Sequence, residues 1–262
     1  MYSDTHVHTC FSFDSEMDPE SAVKKAADLG LFSITFTDHF DLDYPGYGDT
    51  VCFDFDKYIE TIDELKEKYE KKLGIKIFKG VEVGIRPHVM DRELSAVKGK
   101  NFDVIIGSTH IVDGMDPYDG VFFEKGSKMQ TYGRYLDTVI DNLEYYKNFD
   151  VFAHYDYLVR YAPYEDKIFR YSDMPDKIDY ILKFIIENGM SLEINTSTYG
   201  RVSPDKAVFE RYVKLGGEIA TMASDGHTEA KIGRSFKKFS RFARSCGIKY
   251  IGHFENRKFI AE

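Results

Sequence analysis

The sequence predicts an α/β fold, a distorted or incomplete barrel of seven βα units, and three observations favour it. Short β-rich runs alternate with amphipathic helical patterns along most of the 262 residues, which is typical of a parallel sheet. The glycine loops GxGxxG and GxxxxGK[ST], which mark the common open-sheet nucleotide-binding folds, do not occur in the sequence. The length suits one barrel domain over residues 1–262.

Seven short runs are predicted to be the strands, and glycine, proline or aspartate residues separate them from the helical patterns with which they alternate. Apolar runs of this length between turn residues are typical of strands that are buried in a parallel sheet. The predicted strands cover residues 2–8, 32–37, 75–83, 102–108, 150–154, 191–195 and 218–222.

Helices are predicted between these strands. The helix over 19–29 has the clearest ends, because Asp18 is a good N-cap, Pro19 takes the first helical position and Gly30 follows the last turn. Apolar residues at helical spacing predict three further helices, within residues 56–73, 178–185 and 231–246.

Composition and charge restrict the classes of partner. A net charge of −9 argues against a general nucleic-acid or anionic-membrane surface, because both need a basic footprint. No apolar run is long enough to span a membrane, and no basic segment followed by an apolar stretch opens the chain. Three widely spaced cysteines without a CxxC pair are typical of a reducing compartment. We therefore expect a cytoplasmic protein, and the composition does not specify its oligomeric state.

Six of the eight histidines fall at or just after the C-terminal ends of predicted strands, which form the active face of a βα barrel. His6 and His8 flank Val7, so an extended strand points both imidazoles to one side, where a single ion can bind both. Such a pair alone also fits two hydrogen-bonded strand histidines, but six at one end of the barrel favour a centre with several metal ions. Its other candidate members are His39, His110, His154 and His227, with Asp4, Asp14, Asp38, Glu82, Asp156, Glu193 and Asp225.

The type of ligand limits the type of metal. Imidazole and carboxylate without thiolate suit Zn²⁺, Mn²⁺ or iron, whereas Ca²⁺ and Mg²⁺ prefer shells made of oxygen alone. The sequence therefore predicts divalent zinc, manganese or iron and leaves the choice among them open.

Six ordered motifs resemble those of the polymerase-and-histidinol-phosphatase (PHP) family of metal-dependent phosphoesterases: DTHVHT, TDH, GVEVG, GSTH, AHYD and SDGH. They run from His6 to His227 and so cover most of the chain. The segment TDHFDLDYP, the chain length and the C-terminal GHFENRKF most resemble the monofunctional histidinol-phosphate phosphatases of that family. The resemblance implies a distorted seven-unit barrel and hydrolysis of L-histidinol phosphate to L-histidinol and inorganic phosphate, a step of histidine biosynthesis.

The resemblance also implies a site for three divalent ions. Position 14 is often histidine in the wider family; aspartate there suits a harder metal, and a loop cap or a solvated acid is the alternative interpretation of Asp14. The implied ligands are His6, His8, Glu82 and Asp225 for the first ion, Glu82, His110 and His154 for the second, and Asp14, His39 and His227 for the third.

Three carboxylates beside the implied ligands have two interpretations each. Asp4 and Asp38 directly precede ligand positions, where an acid can accept the second ring N–H of a histidine, but an acid at a barrel rim can equally cap a loop. Asp156, two residues after His154, has the same ambiguity. It is also a candidate to protonate the leaving alkoxide, with metal-bound water as the alternative.

Substrate contacts are predicted from residue types just beyond the rim. Arginine matches phosphate oxygens with a planar fork, so Arg160 and Arg201 are candidates to bind phosphate, with a surface position as the alternative. His88 is a candidate for the pocket or a solvated loop residue. Glu193 is a candidate to contact a substrate ammonium.

The implied ions suggest how the reaction would proceed. Three divalent ions carry six positive charges, and the carboxylates of Asp14, Glu82 and Asp225 neutralise three of them. The remaining local charge of about +3 attracts a phosphomonoester dianion. A hydroxide that bridges two ions can attack phosphorus in line, while the third ion holds phosphate oxygens. Glu82 and Asp225 are therefore expected to be essential for catalysis.

Other functions remain open at this stage. PHP relatives include nucleotide phosphatases, protein-tyrosine phosphatases and 3′-end nucleases, and the acidic chain disfavours the nuclease because a polynucleotide needs a basic groove. A metal-binding regulatory module without catalysis is the alternative from another class. Degenerate ligand positions would mark it, and in this sequence those positions are filled.

Overall fold

Strands and helices alternate through the computed structural model, which describes residues 1–197 and 204–262. The strands are β1 Ser3–Val7, β2 Ser33–Phe36, β3 His39–Phe40, β4 Lys76–Gly84, β5 Val104–Ser108, β6 Val151–Phe152, β7 Ser191–Asn195, β8 Ile219–Ala223, β9 Tyr250–Glu255 and β10 Lys258–Ala261. The helices are α1 Pro19–Asp28, α2 Phe55–Tyr69, α3 Met90–Val97, α4 Lys128–Tyr145, α5 Pro175–Glu187, α6 Lys206–Lys214 and α7 Phe236–Ser245.

The parallel strands curl into a barrel, as the sequence predicted. The sheet order is β1-β2-β4-β5-β6-β7-β8-β9-β10, with the short β3 paired to β4. The amide of Asp225, just after β8, donates to the carbonyl of His6 at 2.9 Å, and the amide of His8 donates to the carbonyl of Gly226 at 3.0 Å. These bonds join the first strand to the end of the eighth, so the C-terminal strand ends form one closed rim.

Helix boundaries follow the local signals in the sequence. The Asp18 carboxylate caps α1 by accepting from the amide of Ser21 at 2.8 Å, and Gly30 follows in the left-handed region with φ 67°. The helix predicted over 56–73 begins one residue earlier and ends at Tyr69, followed by a π-helical turn, Glu70–Gly74. No helix in the described ranges is long and apolar enough to cross a membrane.

A C-terminal hairpin closes the opposite end of the barrel, and the sequence analysis did not anticipate it. Strands β9 and β10 pair antiparallel through a turn in which Asn256 and Arg257 both have positive φ. Phe254 of β9 packs with a buried apolar cluster of β5, β6 and the residue after β6, formed with Val104, Ile106, Val151 and Ala153. The hairpin therefore adds a buried side chain to the apolar core and also forms the edge of the sheet.

Candidate metal centre

The rim brings together histidines and carboxylates that lie far apart in the sequence. Strand register does part of this, because His39 of β3 lies directly beside Glu82 of β4. Among the described residues, four groups of three place their ligand atoms within 4.8 Å of one another. They are His6, His8 and Asp225; His8, His39 and His227; Glu82, His110 and His154; and His39, Asp41 and His110.

The group around His6 and His8 has the spacing of a metal site. Their Nε2 atoms lie 3.0 Å apart, His6 Nε2 lies 3.3 Å from Glu82 Oε2, and His8 Nε2 lies 3.3 Å from Asp225 Oδ1. Ligand atoms of a tetrahedral zinc ion are separated by roughly 3.4 Å. Two buried ring nitrogens at 3.0 Å must share a proton or a cation, so this group fits a metal ion.

Glu82 extends the cluster towards β5 and β6. Its Oε1 lies 2.8 Å from Nε2 of His154 and 3.3 Å from Nε2 of His110, while its Oε2 lies 2.9 Å from Nδ1 of His39. The side chain is fully buried. One carboxylate therefore faces both groups, which is the arrangement that a bridging ligand requires.

Asp14 lies beside the third group of imidazoles. Its Oδ2 lies 3.0 Å from Nε2 of His227, and its Oδ1 lies 3.7 Å from Nε2 of His39. The ring of His8 packs against those of His227 and His39, with centroid separations of 4.1 and 4.2 Å. Asp14 is the most exposed acid of the cluster, at 41%, and it faces the histidines.

The electrostatics of the clustered side chains favour a cation among them. Burial alone would raise the pKa of Glu82, but the surrounding imidazoles hold it well below its usual range; Arg160 and the histidines do the same for Asp225. Conversely, burial alone would lower the pKa of His39, but Glu82 and Asp14 raise it to about 9. Bound metal ions would take the place of the protons that these imidazoles hold.

Asp41 belongs to the cluster, and the sequence analysis missed it. Its Oδ1 lies 2.9 Å from Nδ1 of His110, so a buried carboxylate holds the ring whose Nε2 faces Glu82. Gly84 makes room for it, because a Cβ atom at position 84 would lie 1.7 Å from Asp41 Oδ1. The available signal was its position two residues after His39 in the motif TDHFD.

Glu193 is buried and is not among the described residues that line the cavity, so its predicted contact with a substrate ammonium stays a prediction without structural support. It is 1% exposed, its Oε1 lies 2.6 Å from Nδ1 of His6, and its Oε2 accepts from the backbone amide of His154 and the side-chain amide of Asn195. The carboxylate is thus occupied in orienting His6, since a ring that donates through Nδ1 directs its Nε2 at the cluster, where it can bind a metal ion.

Asp4 and Asp38 both accept hydrogen bonds from loop amides. Asp4 accepts from Ser224 and Gly233 at 2.9 Å each, which is the loop-capping alternative. Asp38 accepts from the amide and hydroxyl of Ser12, and that hydroxyl oxygen lies 3.0 Å from Nδ1 of His8. Asp38 therefore acts on His8 through Ser12 rather than by direct contact.

A cavity of about 760 Å³ opens above the cluster, and Arg160 lines it. Its guanidinium lies 2.5 Å from Asp225 Oδ2 and 5.5 Å from the centroid of the Tyr157 ring. Arg201, the second arginine candidate, lies outside the described residues. Two further cations of the lining, Lys231 and Arg234, were not predicted from the sequence.

Two further candidates, His88 and Asp156, are not among the described residues that line this cavity, and their predicted roles stay predictions. The ring of His88 is 57% exposed and pairs with Asp43, as the solvated-loop alternative required. Asp156 is buried, and burial raises its pKa to about 6, opposed by Arg160. That position beside Arg160 gives no support to Asp156 as the proton donor to a leaving group.

One carboxylate of the cavity wall stands apart from the cluster. Asp116 accepts from the hydroxyls of Tyr44 at 2.6 Å and Tyr157 at 3.0 Å and from the amide of Tyr118. Burial, together with Asp116, raises the pKa of Tyr44 and Tyr157, so both phenols remain protonated donors. The cavity lining therefore includes a buried carboxylate that is separate from the metal cluster, and it was not predicted from the sequence.

Fold and site together define a barrel protein whose rim binds divalent metal ions. Residues 4–197 match the PHP domain, so the chain belongs to the PHP domain family. It is 34% identical to a probable histidinol-phosphatase of Clostridium acetobutylicum, over 98% of both chains, and 29% identical to a histidinol-phosphatase of Lactococcus lactis, over 97% of this chain and 95% of the relative.

The solved structures include a similar barrel. The crystal structure of histidinol phosphate phosphatase from Lactococcus lactis, in complex with zinc, L-histidinol and phosphate, superposes with a TM-score of 0.92 at 28% identity. The match covers 99% of this chain and 98% of that one. The likeness supports the barrel and divalent metal ions in this family member.

Proposed function

We propose that this protein is a metal-dependent phosphomonoesterase that hydrolyses L-histidinol phosphate to L-histidinol and inorganic phosphate. The observation that carries the proposal is the convergence of three ligand groups on buried Glu82 at the floor of an open cavity. The similarity to histidinol-phosphatases over nearly the whole chain supports the choice of substrate.

The ligand groups suit three divalent ions of zinc, manganese or iron. His6, His8, Glu82 and Asp225 would hold the first ion, Glu82, His110 and His154 the second, and Asp14, His39 and His227 the third. Bound ions of this kind polarise phosphate oxygens and lower the pKa of bound water, which supplies a nucleophile at neutral pH. The donor set without thiolate fits such ions.

The residues of the chain would position the ester. Arg160, fixed by Asp225 and stacked near Tyr157, would bind a non-bridging phosphate oxygen, where charge accumulates in phosphoryl transfer. Arg201 remains a candidate for the same role. Glu82 and Asp225 would be essential because they hold the ions.

Asp116 supports an aminoalkyl phosphate over the other phosphoesters. A carboxylate has about four acceptor positions, and Tyr44, Tyr157 and Tyr118 occupy three of those on Asp116. The remaining position can accept from an ammonium group, which histidinol phosphate carries. The phosphate tail and base of a nucleotide offer no such cation.

Phosphate release from a panel of substrates tests the proposal. The metal-loaded protein is assayed on histidinol phosphate, a nucleoside monophosphate and phosphotyrosine, with Glu82→Gln as the background control. We expect kcat/KM for histidinol phosphate to exceed the others by more than about 100-fold, the size of a lost charged contact plus poorer fit. Comparable turnover of all three would indicate a broad phosphatase, and retained metal without any release would indicate a non-catalytic module.

A further inference from the structure

A concentrated positive charge lies next to the cavity of this acidic protein. Residues 231–249 contain seven lysines and arginines and no acid, whereas the chain as a whole has a net charge of −9. Without this segment, acids would outnumber bases by sixteen. The seven cations are Lys231, Arg234, Lys237, Lys238, Arg241, Arg244 and Lys249.

Helix α7 carries four of these cations on its solvent-exposed face. Phe236, Phe239 and Ala243 are buried against the barrel. The opposite face, which we call the basic face, exposes Arg234, just before the helix, and four helical residues, Lys237, Lys238, Arg241 and Arg244. None of these five cations forms an ion pair within the described residues, whereas neighbouring Lys249 pairs with Glu218 at 3.0 Å.

The basic face begins at the mouth of the cavity. Lys231 and Arg234 line the cavity itself, and the amide of Gly233 between them is anchored by Asp4 at 2.9 Å. Lys237 and Lys238 follow in the first turn of α7, where the helix dipole disfavours positive charge. Because local electrostatics disfavour cations at these positions, their presence points to a function rather than to helix stability.

We propose that the basic face of α7 is an electrostatic guide that draws doubly charged phosphomonoesters towards the cavity. It rests on the proposed function, because it assumes that the substrate is a phosphate dianion. The acidic remainder of the surface repels such a dianion, and unneutralised cations at the mouth reverse that sign locally and raise its local concentration. Because the guide acts through solvent, salt weakens it.

Charge reversal on the first turn of α7 tests the guide. The variant Lys237→Glu/Lys238→Glu changes the net charge by four just after the two cations that line the cavity. We expect kcat/KM to fall about tenfold at roughly 10 mM ionic strength and less than twofold at roughly 0.3 M, with kcat unchanged. The milder Lys237→Gln/Lys238→Gln changes two charges and should show about a threefold fall at the lower salt.

The matched control places the same charge change elsewhere. Lys71 and Lys72 are exposed and immediately precede β4, so they lie at the opposite end of the barrel from the rim. The variant Lys71→Glu/Lys72→Glu should lower kcat/KM less than about twofold at either ionic strength. The guide would be contradicted if both charge-reversal variants lowered kcat/KM equally. It would also be contradicted if the fall in the α7 variant did not depend on ionic strength.

Binding of inorganic phosphate separates the guide from the proposed function. Phosphate is titrated calorimetrically into each metal-loaded variant at both ionic strengths, which requires no turnover. If none of the esters is hydrolysed but phosphate affinity shows the α7-specific salt dependence, the guide stands and the proposed function fails. If histidinol phosphate is hydrolysed and all variants are alike in both assays, the function stands and the guide is wrong.

Discussion

The carboxylate of Glu193 lies 2.6 Å from Nδ1 of His6, and both side chains are buried. This contact fixes the ring of His6 so that its Nε2 faces His8 and Glu82. A buried acid on β7 thus determines how a histidine on β1 meets the metal cluster.

Replacing Glu193 should therefore weaken metal binding without reshaping the cavity. We expect Glu193→Gln to lose metal affinity or activity about 10- to 100-fold, as for other acids that orient metal-binding histidines. Elemental analysis and phosphate release measure the two effects. Glu187→Gln, on an exposed residue of α5, is the control and should be neutral; wild-type metal content and activity in Glu193→Gln would contradict this role.

Metal affinity should rise with pH over the physiological range. In the metal-free protein, carboxylate neighbours outweigh burial and raise the pKa of His39 to about 9 and those of His6 and His110 above their usual value. Below pH 9 a metal ion must displace the proton on His39, so binding releases protons and weakens as the pH falls. Calorimetric zinc titrations at pH 6 and pH 8 in two buffers measure this release, and a pH-independent affinity would refute it.

Asp116 should control substrate selectivity rather than hydrolysis itself. We expect Asp116→Asn to lower kcat/KM for histidinol phosphate by at least about tenfold, the size of one charge-assisted hydrogen bond. The analogue that lacks the amine should be hydrolysed equally by variant and wild type. Asp119→Asn, on an exposed neighbour, is the control. An equal loss on both substrates would assign Asp116 a purely structural role.

Glu93 of α3 should make the protein less stable as the pH rises. Its side chain is fully buried and both oxygens lack hydrogen-bond partners within the described residues, and burial, with Asp41 nearby, raises its pKa to about 9. Between the unfolded value of 4.5 and 9, the folded state holds a proton that the unfolded chain releases. Stability then falls by up to about 1.4 kcal/mol per pH unit.

The variant Glu93→Gln should remove that slope. Urea unfolding of the metal-loaded proteins at pH 6 and pH 8 should show that the variant loses less stability than wild type over this interval. Glu60→Gln, on an exposed face of α2, should retain the wild-type slope. Parallel pH dependence of Glu93→Gln and wild type would mean that Glu93 ionises normally.

The barrel and the clustered histidines could be predicted from the sequence because both depend on local pattern. Six histidines follow strand ends, and parallel strands bring their C-terminal ends to one rim. The helix α4 was missed although Tyr132, Leu136, Val139 and Leu143 have helical spacing and are buried. In α3 the buried Glu93 interrupts the apolar stripe, so the pattern itself is weak there.

The contacts that support the cluster could not be predicted because they depend on distant segments. The bond from Glu193 to His6 joins β7 to β1, and the Ser12 hydroxyl links Asp38 to His8 across two loops. The hairpin turn uses Asn256 and Arg257 with positive φ, without the glycine that marks such turns in a sequence. Residue type alone could not decide whether an acid at the barrel rim caps a loop, orients a histidine or binds a metal ion.

Activity measured against bound metal tests the central claim most directly. The metal-free protein is titrated with Zn²⁺ or Mn²⁺ while bound equivalents and phosphate release from histidinol phosphate are recorded together. The proposed centre predicts no release without metal, the onset of release as the groups that share Glu82 fill, and a maximum near three equivalents. Undiminished release from metal-free protein, or three bound equivalents without release, would contradict it.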